Sequence, residues 1–350
     1  MPRHKLNSSA QGSVLMSVIW ILAMLAVFSV AVNRQVSQEL IFGVWMRDRV
    51  QTRALVKAAV ARAIFEIQKD EFLTFDTLNE KWASNPDAFK EIEIGPGTFS
   101  VQCNADPQTA ENEGEAEGAK QLLYGACDES ARININTSGE EVLFRLLRAA
   151  AELSEEDARK AAQAIVDWRD GDDAVMPEGA ENTYYRSLPD SYEPRNANFQ
   201  SIPELRMVRG IDPEIFKKLE PFITIYSEGS VNFNTASSTV IQAFGASPEL
   251  ARAIIEFRMG TDLLPGTKDD AVIQDPGSIT SALGTGINFA TGEFDLISSA
   301  VSQNLLTVGS KTFRIHAIGR LNRHGREVLG RGVCVVRRDG TVLMWQEDSE

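Results

Sequence analysis

Residues 4–35 read HKLNSSAQGSVLMSVIWILAMLAVFSVAVNRQ: a short basic leader, a glycine at position 12, and an uncharged apolar run from Ser13 to Val32. At about 20 residues, this run is long enough for a helix to cross a hydrocarbon core of about 30 Å. An ordinary secretory signal has a shorter apolar stretch that ends in small residues. Ser29-Val30-Ala31 would serve that purpose, but two features oppose it. The leader stops abruptly at Gly12, ahead of the run, and the helical pattern does not end at Val32. No proline occurs from Gln35 to Phe72, and Val36, Leu40, Val44, Leu55, Ala59 and Phe65 recur at helical spacing. Arg47, Arg49, Arg53, Lys57 and Arg62 fill the polar side. Residues 13–70 are therefore predicted to form one helix about 85 Å long, apolar over 13–34 and amphipathic over 35–72. Gly43 is its one weak point, at a cost of about 1 kcal/mol.

With 350 residues and 43% hydrophobic content, the chain can fill two further domains. A net charge of −14 makes nucleic acid an unsuitable partner, because binding it requires a basic face. Three cysteines do not make a disulfide framework. Cys103 and Cys127 flank one loop and would pair in an oxidising compartment; free buried thiols are the equal alternative. Thr98–Gln102 alternates as a strand does, and Leu122–Asn136 is strand-like again. Between them, Asn104–Lys120 is acidic and poor in apolar residues, the composition of a loop. Strand character then lapses until Thr312, where TFRIHAIGRL, REVLGRGVCVVRRD and TVLMWQE form a run of three strands with a turn at Asp339-Gly340. A sheet split so widely implies an α+β fold. Residues 73–136 and 307–350 supply the sheet, and 137–306 are an inserted, mostly helical domain.

A leader ending in Gly, followed by an apolar run that continues into an amphipathic helix, resembles the type IV pilins and pseudopilins. The resemblance implies cleavage by a prepilin peptidase between Gly12 and Ser13, methylation of the new N-terminus, and a long N-terminal helix packed on an antiparallel sheet. In that family the fifth mature residue is usually Glu, which offsets a neighbour's buried N-terminal ammonium; here it is Ser17. The minor pseudopilin K family of type II secretion systems lacks that Glu and carries an inserted helical domain. The likeness covers the leader and helix, DESARININT (128–137), the acidic loop that follows, and the closing strands. It implies a single-pass inner-membrane protein with a periplasmic head. That head would sit at the tip of the pseudopilus filament, bound to the minor pseudopilins I and J and resting on the major pseudopilin.

The insertion contains a repeat. INTSGEEVLFRL (135–146) matches FNTASSTVIQAF (233–244), and AIVDWR (164–169) matches AIIEFR (253–258). Each copy reads as helix, turn, helix, with Thr137 or Thr235 placed to cap the first helix. This resembles the helix-hairpin-helix doublets of DNA-binding and DNA-uptake proteins and supplies the rival reading, a membrane-anchored DNA receptor. Such modules hold phosphate on Gly-x-Gly hairpins. Here the hairpins read LSEED, FGASPEL and RGIDPEI, each with an acid and none with the second glycine. Arg206, Arg209, Lys217 and Lys218 are the only local basic cluster.

The stretch richest in chemistry is DWRDGDDAVMPEGAENTYYRSLPDSYEPRNANF (167–199). Carboxylates at short alternating spacing with a later Glu suit calcium, which takes 6–8 oxygens in irregular geometry. The stretch is not an EF-hand, since it lacks the glycine at position six and the Glu at twelve; a solvated acidic loop is the alternative. The resemblance to the pseudopilin K family, which binds calcium in this domain, implies Asp170, Asp172, Asp173, Glu181 and Asn196 as ligands. Trp168, Tyr184 and Tyr185 would pack beneath them. Asp262, Asp269, Asp270 and Asp275 form a second acidic group, readable as another ion site or as a surface loop. Catalysis has no support: of three histidines, His4 lies in the leader and His316 and His324 near a C-terminal strand, and no G-x-S-x-G, H-E-x-x-H or P-loop occurs.

Overall fold

The computed structural model describes residues 9–70, 74–104, 122–284, 287, 289–323 and 325–347. The acidic loop expected over Asn104–Lys120 lies, apart from Asn104, outside them, as does His324. Helix α1 spans Ser9–Gln68. It begins ahead of the Gly12-Ser13 pair and runs unbroken through Gly43. From Val14 onward it is long and apolar enough to cross a membrane, and that apolar window is unburied. A short α2 (Pro86–Phe89) precedes β1 (Ile92–Ile94), β2 (Gly97–Asn104), β3 (Leu122–Leu123) and β4 (Cys127–Asp128). After β5 (Ile133–Asn134) come α3 (Glu140–Ala151), α4 (Glu155–Arg169), α5 (Asn182–Arg186), α6 (Pro213–Leu219), β6 (Ile223–Thr224) and β7 (Val231–Asn232). Then follow α7 (Ser238–Ala243), α8 (Pro248–Arg258), α9 (Ile279–Gly284), α10 (Glu293–Ser302) and β8 (Leu306–Thr307). The chain closes with β9 (Thr312–Arg323), β10 (Arg326–Arg337) and β11 (Val342–Glu347).

The sheet runs β1-β2-β9-β10-β11, with β3 on β2 and β4 on β9, and every pair is antiparallel. One core lies between it and the second part of α1, where Leu55, Val56, Ala59, Val60, Ala63 and Ile67 meet Phe99, Val101, Phe313, Ile315, Ala317 and Leu321. Glycines on the facing strands let the helix approach closely. A Cβ at Gly319 would stand 2.8 Å from the Thr52 carbonyl oxygen, and one at Gly332 would stand 2.7 Å from Val56. A second core, built from Ile133 to Val308, fills the helical part.

The helical part is not free of strands. β5 pairs with β6 and β7 with β8, each a two-residue parallel bridge, too short to leave a period in the sequence. These bridges head two equivalent units. In the first, the Asn134 side chain accepts from Asn136 N, and the Asn136 amide both donates to Phe199 O and accepts from Phe199 N. In the second, Asn232 accepts from Asn234 N, and Asn234 makes the same pair of bonds to Ile273. Arg169, at the end of α4, donates to the Ile135 and Ser138 carbonyls; Arg258, at the end of α8, donates to those of Phe233 and Ala236. The threonines do not cap as expected. Each helix starts later, α3 behind Gly139 and α7 behind Ser237, whose hydroxyl accepts from Val240 N. Thr235 instead donates its hydroxyl to Asp128. Cys103 and Cys127 are disulfide-bonded, tying β2 to β4.

The two cores are joined through a buried acidic pair. Asp128 accepts from Asn232 Nδ2 at 3.0 Å, from the Thr235 and Ser310 hydroxyls, and from Ser130 N. Glu129, fully buried, accepts from Nε and Nη2 of Arg314 on β9, each at 2.6 Å, and from the Thr224 hydroxyl at 2.6 Å. Two arginines hold its carboxyl below the usual range even though burial opposes this. Removing one partner of a buried pair leaves the other charge uncompensated. Glu129→Ala is therefore expected to cost about 3–5 kcal/mol in denaturant unfolding. Lys311→Ala, which breaks only the exposed Lys311–Glu228 pair, is expected to cost under about 1 kcal/mol. Equal effects would show that the junction does not depend on Glu129.

Candidate metal centre

Helix α4 ends at Arg169, and its last turn places Asp167 and Asp170, three apart, on one side. The chain then loops out and returns, and Asn196 N donates to Trp168 O at 3.0 Å. On the way, Glu181 stands immediately ahead of α5. The result is a group of three carboxylates, Asp167, Asp170 and Glu181, each offering an oxygen within 4.8 Å of the others. Asp167 is 0% exposed and Glu181 4%. The Asp167 carboxylate accepts from Met176 N. By contrast, Asp170 Oδ1, both Glu181 oxygens and Asn196 Oδ1 are buried with no hydrogen-bond donor. Buried oxygens are nearly always paired, so the orphan oxygens of Asp170 and Glu181 within this group, and that of Asn196 in the returning loop, are unmet acceptors.

The loop keeps them there. Asn196, in the left-handed region at φ 47°, donates its amide nitrogen to Asp172 O and Asp173 Oδ1, both at 3.1 Å, and its oxygen is thereby turned away from them. Beneath lies an aromatic floor, with Trp168 against Tyr185 at 5.1 Å and stacked on Phe199 at 6.4 Å between ring centroids. Gly179 must be glycine, because a Cβ there would lie 2.8 Å from Asp167 Cγ and closer still to Oδ2.

Of the expected ligands, Asp170, Glu181 and Asn196 contribute orphan oxygens. Asp172 and Asp173 are exposed and are used within the loop: Asp172 accepts from Ala174 N, and Asp173 from Asn182 and Asn196. Asp167 is absent from the expected set, although its i, i+3 relation to Asp170 on a helix is a signal the sequence carries. Burial pushes Glu181 up to about 7 and Asp167 up to about 6, with repulsion from neighbouring carboxylates adding to both; burial also raises Asp170. Two other acidic groups are answered wholly or in part from within the fold. In the group of Asp70, Asp76 and Glu80, both aspartates are paired with Arg338 and Glu80 Oε2 accepts from Trp82 Nε1, while Glu80 Oε1 is left buried without a donor. In the group of Asp262, Asp269, Asp270 and Asp275, Asp269 accepts from Thr261 N and from the Thr261 and Thr267 hydroxyls, and Asp270 from Gly266 N.

A family model described as "Type II secretion system (T2SS), protein K" matches residues 116–228, the stretch that holds the first helical unit and the carboxylate group. Over that stretch the chain is similar to the type II secretion system protein K family. Similar proteins include type II secretion system protein K of Pectobacterium carotovorum subsp. carotovorum, 32% identical over 29% of this chain and 31% of that protein. The protein K of Aeromonas hydrophila is 35% identical over 26% of this chain and 29% of its own. The chain thus spans about three-tenths of the length of these curated relatives. Among solved structures, a chain of the GspK-GspI-GspJ complex from the type 2 secretion system of enterotoxigenic Escherichia coli shares the fold. Its TM-score is 0.58 at 15% identity, over 91% of this chain and 100% of that chain.

Gly179→Ala should force the loop off Asp167 and separate Asp167 from Glu181. Its expected signature is loss of near-ultraviolet circular dichroism from the Trp168–Tyr185 pair with the far-ultraviolet spectrum retained. An unchanged spectrum in both regions would mean that the loop does not depend on this close approach.

Proposed function

We propose that the protein is a minor pseudopilin at the tip of a type II secretion pseudopilus, and that its inserted domain holds calcium. The observation that carries the first part is the joining of a long helix, uncharged from Ser13 to Val32, to a sheet whose strands β4 and β9 are separated by a large helical insertion. Under this reading, prepilin peptidase cuts between Gly12 and Ser13 and the apolar part of α1 anchors the chain in the inner membrane. The head then stands in the periplasm with minor pseudopilins I and J, above the major pseudopilin filament. The insertion's bulk and Ser17 in place of the usual Glu both oppose the seating of a further subunit above, as a cap requires. The solved chain of like fold belongs to a complex with GspI and GspJ, which supports these partners.

Calcium suits the donor set. All the orphan atoms are oxygens, and residues 137–306 contain no His or Cys, the usual zinc ligands. Asp167, Asp170 and Glu181 would hold the ion with the Asn196 amide oxygen. The ion would supply the charge that lets three carboxylates share one buried space. The DNA-receptor reading is weakened at its hairpins, because Ser247 N, in the FGASPEL turn, already donates to Glu293 at 2.8 Å.

Coexpression with prepilin peptidase and partners I and J tests the assignment. The mature chain should begin at Ser13 by intact mass and co-elute with I and J; a start near Val32, or elution apart from both, would contradict it. For calcium, a hundredfold excess over Kd should stabilise the full chain in detergent by about 2.7 kcal/mol, with magnesium a poor substitute. The gain should grow with pH. Folded acids with raised pKa values favour the cation-free form below about pH 4, and that stability is lost as pH rises through about 6–7. The calcium effect should therefore be larger at pH 8 than at pH 5. A melting temperature indifferent to calcium at pH 8 would leave a solvated acidic loop.

A further inference from the structure

The two helical units share a frame and differ in what fills their loops. In both, an Asn-x-Asn-Thr strand leads in, an arginine at the end of the second helix grips the carbonyls of that strand, and the second asparagine clamps the far end of the returning loop. The first loop runs from Asp170 to Phe199 and the second from Met259 to Ile273, and each carries a cluster of acids. In the first, the oxygens of Asp170, Glu181 and Asn196 are buried without donors. In the second, Asp269 Oδ2 accepts from Thr261 N and the Thr261 hydroxyl at 2.8 and 2.7 Å, and its Oδ1 accepts from the Thr267 hydroxyl at 2.7 Å. Asp262 Oδ1 accepts from Leu264 N at 2.8 Å, and Asp270 Oδ2 from Gly266 N at 2.8 Å. Its carboxylates therefore have donors from within the loop.

We propose that the two units are closed by different means, the first by a bound divalent cation and the second by its own threonine hydroxyls and backbone N–H groups. A change in cation occupancy then loosens the first unit only. This rests on the metal reading above and extends it to what the ion controls. The path outward is short. Asp170 is bonded in sequence to Arg169, which holds the Ile135 and Ser138 carbonyls, and Asn136 holds Phe199, which stacks on Trp168. Ile133–Asn134 pairs with Ile223–Thr224, and the Thr224 hydroxyl donates to Glu129 at the junction with the sheet. Cation loss is therefore felt along the strand that enters the helical part, whereas Val231–Asn234 and its loop stay shut. Arg169 and Asn136 are positioning residues for the ion rather than ligands.

The second unit is an internal control for the first. Hydrogen exchange on the full chain in detergent, in millimolar calcium and in EGTA, reads both at once. Peptides from 133–137 and 166–199 should exchange at least about tenfold faster in EGTA, while those from 231–236 and 258–273 should change less than about twofold. Equal loosening of both units would overturn the proposal, as would no loosening of the first while equilibrium dialysis shows calcium bound. If dialysis shows no calcium bound, the metal centre itself fails and the proposal falls with it. Thr261→Val with Thr267→Val should speed exchange over 258–273 equally in calcium and EGTA. A calcium-dependent difference there would also count against it.

Discussion

Asp128 and Glu129 are where the two parts of the head become one structure. Asp128 ends a strand of the sheet and takes donors from the second helical unit, while Glu129 faces back to Arg314 on the central strand. Each carboxylate is buried, and each takes hydrogen bonds from groups far away in sequence, Asp128 also accepting from Ser130 N in its own turn. Burying such groups is costly unless every lone pair is met, so the arrangement specifies one docking of helical part against sheet. The disulfide from Cys103 to Cys127 fixes the strand that delivers the pair. Asp76 adds to the same contact, its carbonyl accepting from Asn232 and its carboxylate from Arg338 and Ser310 N.

Beyond that junction the helical part is built twice on one plan. The shared plan is backbone chemistry: asparagine side chains that bridge their own turn and a distant loop, and arginines that collect carbonyls left open at the start of the unit. The difference lies in the loops. One satisfies its acids internally; the other leaves oxygens without donors around a small space. In the first unit, the family's matched stretch and the carboxylate group coincide.

The elements visible in the sequence are those with a strong period or a strong composition. The long helix follows from an uncharged run continued by helical spacing, and β9 to β11 from alternation with a turn at Asp339-Gly340. The insertion follows from the gap between strands, and the acidic loop from its carboxylates. What is hidden depends on contacts between distant residues. The two-residue parallel bridges carry no pattern of their own. Asn136 and Asn234 stand out as a match, but their partners Phe199 and Ile273 lie 63 and 39 residues away. Thr235 reads as a cap locally and is claimed by Asp128 across 107 positions. Asp167 sits inside an apolar helical run, where its burial beneath Gly179 only becomes apparent once the loop has folded back. Asp172 and Asp173, the most conspicuous acids, are exposed and accept hydrogen bonds from within the loop.

The central claim is that the orphan oxygens of Asp170, Glu181 and Asn196, with Asp167, form a calcium site. Terbium, a luminescent ion that prefers oxygen ligands as calcium does, tests it directly, since Trp168 lies in the same turn as Asp167 and Asp170. Excitation of tryptophan in the full chain should give terbium emission that calcium displaces, that Glu181→Gln abolishes and that Trp168→Phe removes without preventing calcium binding. Emission unaffected by Glu181→Gln, or no emission from terbium-saturated protein, would contradict the account.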